Sequence, residues 1–244
     1  MERIRARAVV LSYLDYGEAD RIVTLLTEER GRLAAFAAGA RKSRRRFAGA
    51  LEPCTLLSAQ LVQTRGDTWR LDSVDVLDAF PEVRAELSLI ARGAYAVELV
   101  RELCRDHEPH PDLFALLCRY LTALARKGAG ALAMMRFELL ALALAGLMPR
   151  LDRCARCGAP PEEVLLFDPE HGGLLCNGCA AGTGQRVSNE AALLLASLQR
   201  EPKAVEARHS VRAEARGLLT RFVSHHLGHR PKSLDFMREV GVDA

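Results

Sequence analysis

Four cysteines constrain this chain more than any other feature. They fall as Cys154-Ala155-Arg156-Cys157 and, eighteen residues later, as Cys176-Asn177-Gly178-Cys179. Each C-x-x-C turn puts two thiolates on one tight loop, and two such loops close a tetrahedral four-sulfur site of the kind zinc prefers. Gly158 and Gly178 supply backbone freedom at the two turns. The pattern predicts one structural Zn2+ held by Cys154, Cys157, Cys176 and Cys179. With every position filled by sulfur, no place is open for a reactive water, so hydrolytic zinc chemistry is not expected. A redox motif needs a single pair with one low-pKa cysteine and leaves the second pair unexplained. No His-x-Glu lies beside the cysteines, which argues against a nucleotide deaminase. The segment 152–182 has little core of its own, so the metal is expected to fold it, with binding worth on the order of 10 kcal/mol.

The redox compartment follows from the other cysteines and the N-terminus. Cys54, Cys104 and Cys118 lie in apolar patterns and read as small buried hydrophobes. Met1-Glu2-Arg3-Ile4-Arg5 has no apolar stretch behind its charges, unlike a signal peptide. The most apolar run, 131–148, contains Arg136 and Glu138 and reads as a buried helix, not a membrane span. A cytoplasmic protein with reduced thiols and no membrane partner is expected, and metal rather than disulfides is what its cysteines serve.

Hydrophobic periodicity divides the chain. Strands are predicted at 7–13, 20–27, 32–37, 54–64 and 69–77, joined by tight turns such as Arg65-Gly66-Asp67. Five short strands in about 80 residues suit a small barrel of the OB type. From Pro81 the apolar spacing turns helical, with helices predicted at 81–106, 112–126 (opened by Pro111), 131–147, 189–198 (capped by Ser188) and 208–228. The predicted fold class is α+β: a five-stranded OB-fold barrel followed by an all-helical domain with an inserted four-cysteine zinc finger. The predicted divisions are 1–80 for the nucleic-acid-binding barrel, 81–151 and 183–244 for the two parts of the helical domain, and 152–182 for the finger.

A net charge of +3 is too small to imply a basic surface, so any nucleic-acid site must be a local patch. One such patch stands out. Arg41, Lys42, Arg44, Arg45 and Arg46 fill five of six consecutive positions in the loop after the third strand, next to Phe47. Such a loop attracts phosphates and gives steeply salt-dependent binding. Phe47 either stacks on a base or anchors the loop. Arg3, Arg5 and Arg7 share one strand face and either extend the surface or protect an edge. On the last helix Arg208, Arg212 and Arg216 recur at i, i+4 spacing, which reads first as a solvated face and second as another DNA contact. The chain has no phosphate loop, no G-x-G-x-x-G after a strand and no nucleophile elbow. The acidic pair Glu162-Glu163 forms no recognisable nuclease pattern. No enzyme and no small-molecule substrate is therefore expected.

Several stretches together resemble the recombination mediator family RecO. They are Tyr16-Gly17-Glu18-Ala19-Asp20, Gly31-Arg32-Leu33 and Gly39-Ala40-Arg41-Lys42-Ser43 near the start, and Phe137-Glu138-Leu139-Leu140, Gly146, Pro149, Leu151 leading into the first cysteine pair. Gly172-Gly173-Leu174-Leu175 leads into the second, and His226-Leu227-Gly228 with Lys232-Ser233-Leu234 closes the match. The resemblance implies an OB-fold, a helical domain and a zinc finger within it. It further implies binding of single- and double-stranded DNA, annealing of complementary strands, and work with RecR to load RecA onto DNA coated by single-strand-binding protein, at the nucleoid. Arg101, Arg105 and Arg119 are conceivable contacts for the acidic tail of single-strand-binding protein. Two other readings stay open on the residues alone: a zinc-ribbon transcription regulator and a zinc-stabilised DNA-processing enzyme.

Overall fold

A computed structural model describes residues 2–43, 45–47, 49–64, 68–160, 165–200 and 206–242, except for the side chain of Lys127. The predicted turn at 65–67 and the pair Glu162-Glu163 lie outside the described residues. The chain forms two compact units, Met1–Gly128 and Ala129–Ala244.

The first unit opens with β1 (Arg3–Tyr16), β2 (Asp20–Thr27), β3 (Gly31–Ala37), β4 (Leu56–Gln63) and β5 (Trp69–Asp78). They close into a barrel in the order β1-β2-β3-β5-β4. Alternation drives the closure. Ala6, Ala8, Val10, Val23, Leu25, Leu33, Ala35, Leu57, Ala59, Leu61 and Leu71 all point inward and are buried. β1 starts four residues before the predicted strand because Arg3 to Val9 pair with Val62 to Leu56. From Ala8 to Tyr16 the strand pairs with β2, and a register shift between Val10 and Ser12 bends it on the way. The short parallel contacts Ala35↔Trp69 and Phe36↔Arg70 complete the ring. Arg3 to Val9 pair with β4, whereas pairing with β2 begins only at Ala8, so Arg3 and Arg5 lie on a stretch of β1 that is laddered on one side. Arg5 pairs with Asp75 and Arg7 with Glu28.

A 3-10 turn (Pro81–Arg84), α1 (Leu87–Leu103) and α2 (Pro111–Lys127) complete this unit. The single predicted helix 81–106 is broken at Ala85-Glu86, where Glu86 adopts an extended conformation and becomes the cap residue of α1. Helices cover part of the outer barrel face: Val9 and Leu26, which point outward, are fully buried, and Arg7 lies over the Phe114 ring at 5.5 Å. Gly31 (φ +66) is required at the β2–β3 turn, because a Cβ there would overlap the Glu108 carbonyl.

The second unit contains α3 (Ala131–Leu144), β6 (Leu165–Asp168), β7 (Gly173–Leu175), the short α4 (Asn177–Ala180), β8 (Gln185–Val187), α5 (Asn189–Gln199), α6 (His209–Leu227) and α7 (Lys232–Glu239). Ser188 accepts a hydrogen bond from the Ala191 N–H, as predicted for a cap, and both its N–H and its hydroxyl donate to Glu214 on α6. Arg216 departs from the solvated-face reading. It is buried and forms an ion pair with Glu138 of α3, itself fully buried, so the acidic interruption of the apolar run has a partner on another helix. Among the described residues no helix is long and apolar enough to cross a membrane.

Candidate metal centre and nucleic-acid interface

Two backbone turns build the metal centre. In the first, the Gly158 N–H donates to the Cys154 carbonyl, and Gly158 adopts φ +76. The Ala155 N–H donates to the Leu174 carbonyl of β7, which hangs this turn on the small sheet β7-β6-β8. In the second, Cys176 precedes α4, and the Cys179 and Ala180 N–H groups both donate to its carbonyl. Gly178 sits inside α4 with helical backbone. The left-handed positions come later, at Ala181 and Gly182, so the role expected of Gly178 passes to them.

These turns bring Cys154, Cys157, Cys176 and Cys179 together, with all four Sγ atoms within 4.8 Å of one another. The Cys157 and Cys176 sulfurs are 3.7 Å apart. A tetrahedral ion with metal–sulfur bonds of about 2.3 Å places its ligands about 3.8 Å apart, so the four thiols fit a metal ion. None is in a disulfide. Backbone N–H groups of Cys157, Cys176 and Arg156 bring the Cys154 thiol down to about 6 against the effect of burial. The neighbouring thiols of Cys176 and Cys157, then burial and Cys154, push Cys179 up to about 12. A bound dication would supply the positive charge that lets thiols so close together ionise. Burial raises the other three cysteines instead: Cys54 to about 12, Cys104 and Cys118 to about 11.

Beside this centre, Asp168 accepts hydrogen bonds from the Glu170 N–H and the Thr183 hydroxyl and contacts His171 Nδ1 at 3.0 Å. Burial opposes its ionisation, but these partners win and hold its carboxyl below the usual range. Gly173 (φ +149) lies so close to Arg150 that a Cβ would overlap the Arg150 carbonyl oxygen. That approach lets the Leu174 N–H donate to the Arg150 carbonyl, while the Leu174 carbonyl holds the first cysteine turn.

The basic loop after β3 is tethered at both ends. The Gly39 N–H donates to Asp20 and the Arg41 N–H to the Ala19 carbonyl, which fixes the loop to the β1–β2 turn. At the far end the Val74 N–H of β5 donates to the Arg46 carbonyl. Phe47 is 1% exposed and belongs to the barrel core, so it is the anchor and not a stacking ring. Arg41, Lys42, Arg45 and Arg46 are exposed, and Arg44 lies outside the described residues. Arg41 donates to the Gly17 carbonyl and reaches Asp15 at 3.7 Å; Arg46 donates to the Ala38 carbonyl and lies over the Phe47 ring. The side chains of Lys42 and Arg45 have no hydrogen bond or ion pair among the described residues. Asp15 also pairs with Arg21, which bonds Glu52 as well, so the acidic groups at this rim are largely engaged.

On the helical elements, Arg101 pairs with Glu102, and Arg105 lies 3.9 Å from Glu108. Arg119 is exposed on α2. Sequence reasoning missed a pair of rings on the outside of the barrel, the exposed Tyr16 and the half-buried Phe36, whose centroids are 6.0 Å apart at 84°. They meet only through strand register.

Residues 1–80 match the family model described as Recombination protein O N terminal, and residues 84–235 match Recombination protein O C terminal. The chain is 56% identical, across the whole of both chains, to the DNA repair protein RecO of Myxococcus xanthus (strain DK1622). It is 50% identical to that of Anaeromyxobacter dehalogenans (strain 2CP-C), over 99% of this chain and 98% of the relative. Identity to that of Geobacter sulfurreducens is 39%, over 98% and 99% of the two chains.

Proposed function

The chain belongs to the RecO family of DNA repair proteins, and on that footing we propose that it binds single- and double-stranded DNA without cutting it, anneals complementary strands, and acts with RecR to load RecA onto DNA coated by single-strand-binding protein. It works in the cytoplasm, at the nucleoid. One observation carries the DNA-binding part of this reading: a cationic loop held at both ends on the rim of a closed OB-type barrel, with the Lys42 and Arg45 side chains free of partners among the described residues. Arg41, Lys42, Arg44, Arg45 and Arg46 contact phosphates. Each neutralised phosphate releases counterions, so affinity falls steeply as salt rises. A tethered loop presents these charges without first having to be ordered, which limits the entropy lost on binding.

The metal is Zn2+, and its role is structural. Four sulfurs at tetrahedral spacing support this, since such a set leaves no coordination position for substrate. The chemistry of repair then resides in the DNA strands and the partner proteins, and this chain positions them.

The direct test is annealing of two complementary strands pre-coated with single-strand-binding protein. Addition of this protein is expected to accelerate duplex formation. The variant Lys42→Ala/Arg45→Ala is expected to anneal more slowly and to bind DNA with a shallower salt dependence, with its melting temperature unchanged. No acceleration by the wild-type chain, or cleavage of labelled DNA in magnesium, would sink the proposal.

A further inference from the structure

The outer face of the barrel is covered unevenly. Around Val9 and Leu26 it is sealed. Past the irregularity in β1 it is open, and Leu14 and Tyr16 are 65% and 56% exposed. Strand register says what lies there. Leu14 pairs with Ile22, Ile22 with Phe36, and Phe36 with Arg70. Directly opposed residues point to the same side of a sheet, so these four form one row across β1, β2, β3 and β5. At about 4.8 Å per strand the row spans about 14 Å. Tyr16 stands at its end, edge-on to Phe36.

This apolar row adjoins the basic loop. The Arg41 guanidinium donates to the carbonyl of Gly17, the residue after Tyr16, and Phe36 is three residues before Gly39, where the loop is pinned to Asp20. Surface rings within reach of guanidinium and ammonium groups make the combination that holds single-stranded nucleic acid: bases stack on the rings and phosphates follow the charges. Because paired bases in a duplex hide their faces, the rings act on single strands only.

We propose that Tyr16 and Phe36, flanked by Leu14, Ile22 and Arg70, form a base-stacking platform through which this barrel distinguishes single-stranded from duplex DNA. The inference rests on the reading of the barrel as a DNA-binding module and adds to it the residues that recognise strand state. Charge favours DNA over a protein partner as occupant. Arg70 and Arg41 already have Asp72 and Asp15 beside them, but a protein docking on so small an apolar row would still have to neutralise Lys42 and Arg45 next to it, which a phosphate backbone does by its nature.

The test compares three probes at one salt concentration: a mixed-sequence single strand, an abasic single strand of the same length, and the corresponding duplex. The full-length wild-type chain is expected to bind the normal single strand more tightly than the abasic one. Tyr16→Ala, which removes an exposed ring and spares the core, should lose about tenfold on the normal strand and little on the other two. Tyr16→Trp should restore binding. Lys42→Ala/Arg45→Ala should weaken all three. If the wild-type chain holds the abasic strand as tightly as the normal one, or Tyr16→Ala weakens all three probes equally, the platform is wrong while the basic loop stands. If the wild-type chain binds none of the probes, the DNA-binding reading itself fails. If Tyr16→Ala keeps every DNA affinity and loses association with RecR, the row is a protein-docking face and the proposal is overturned.

Discussion

In the barrel, fifteen buried residues from five strands and the loop after β3 pack into a single apolar cluster, whereas around the cysteines the buried cluster among the described residues comes down to Cys154, Leu175 and Ala180. Each large side chain in the first cluster is worth about 1.5–3 kcal/mol when buried, so the barrel has the means to stand without a ligand. The second cluster has no such reserve. Its strands are three or four residues long, and one of its three buried residues is itself a sulfur donor. What burial does in one region, coordination must do in the other. The two regions should therefore fail independently and under different insults.

The sharpest way to break this comparison is Cys176→Ser. It removes one of four sulfurs from a segment whose folding depends on them, at a cost on the order of several kcal/mol out of about 10 from the metal. Bound zinc should fall to near zero and proteases should cut between Cys154 and Val187. The barrel should not notice. Trp69 is the single tryptophan of the chain and is buried in the barrel core, so its emission reports that region alone. Unchanged emission with lost metal is the expected pair of readings, and a shifted Trp69 spectrum would show the two regions to be coupled.

The reverse experiment is Leu25→Ala. Leu25 is fully buried in the barrel, and the cavity should cost about 2–5 kcal/mol. The Trp69 transition should move to lower denaturant while zinc content stays at the wild-type level. Smaller again is Gly173→Ala, which probes the backbone seat of the first cysteine turn. The added methyl would push Arg150 away from β7 and cost about 1–3 kcal/mol. Zinc should be lost faster to a chelator, and Trp69 should again stay silent.

The sequence disclosed these regions unequally, and for physical reasons. The cysteines were legible because their spacing is local and the coordination they serve tolerates few alternatives. The barrel strands were legible because alternation such as Val23 and Leu25 inside, Thr24 outside, is written residue by residue. What escaped depends on partners distant in the chain. β6, β7 and β8 are too short to show a period. Arg216 read as a surface charge because Glu138, its partner, is 78 residues away. The Tyr16–Phe36 pair exists only through register across β1, β2 and β3, and no pattern within either strand announces it. α7 is only eight residues long, about two turns, and no helix is predicted there.

The finest test of the comparison is Asp168, a polar group within the cysteine segment that helps hold the chain where apolar contact is scarce. Its pKa in the folded chain lies below the ordinary value, so its stabilising contribution is full above that ordinary value and is lost as pH falls through the lowered one. Acid also protonates the thiolates and releases the metal, which works in the same direction. Asp168→Asn keeps the shape and removes the charge. It should cost about 1 kcal/mol at neutral pH, the scale of a hydrogen bond from a partly buried group. It should also flatten the acid dependence of zinc retention toward what the thiols alone impose. Trp69 emission, followed across the same range, should respond to neither the substitution nor the acid until the barrel itself unfolds. An acid profile of zinc retention identical in wild type and Asp168→Asn would remove Asp168 from the account and leave the sulfurs as the segment's sole support.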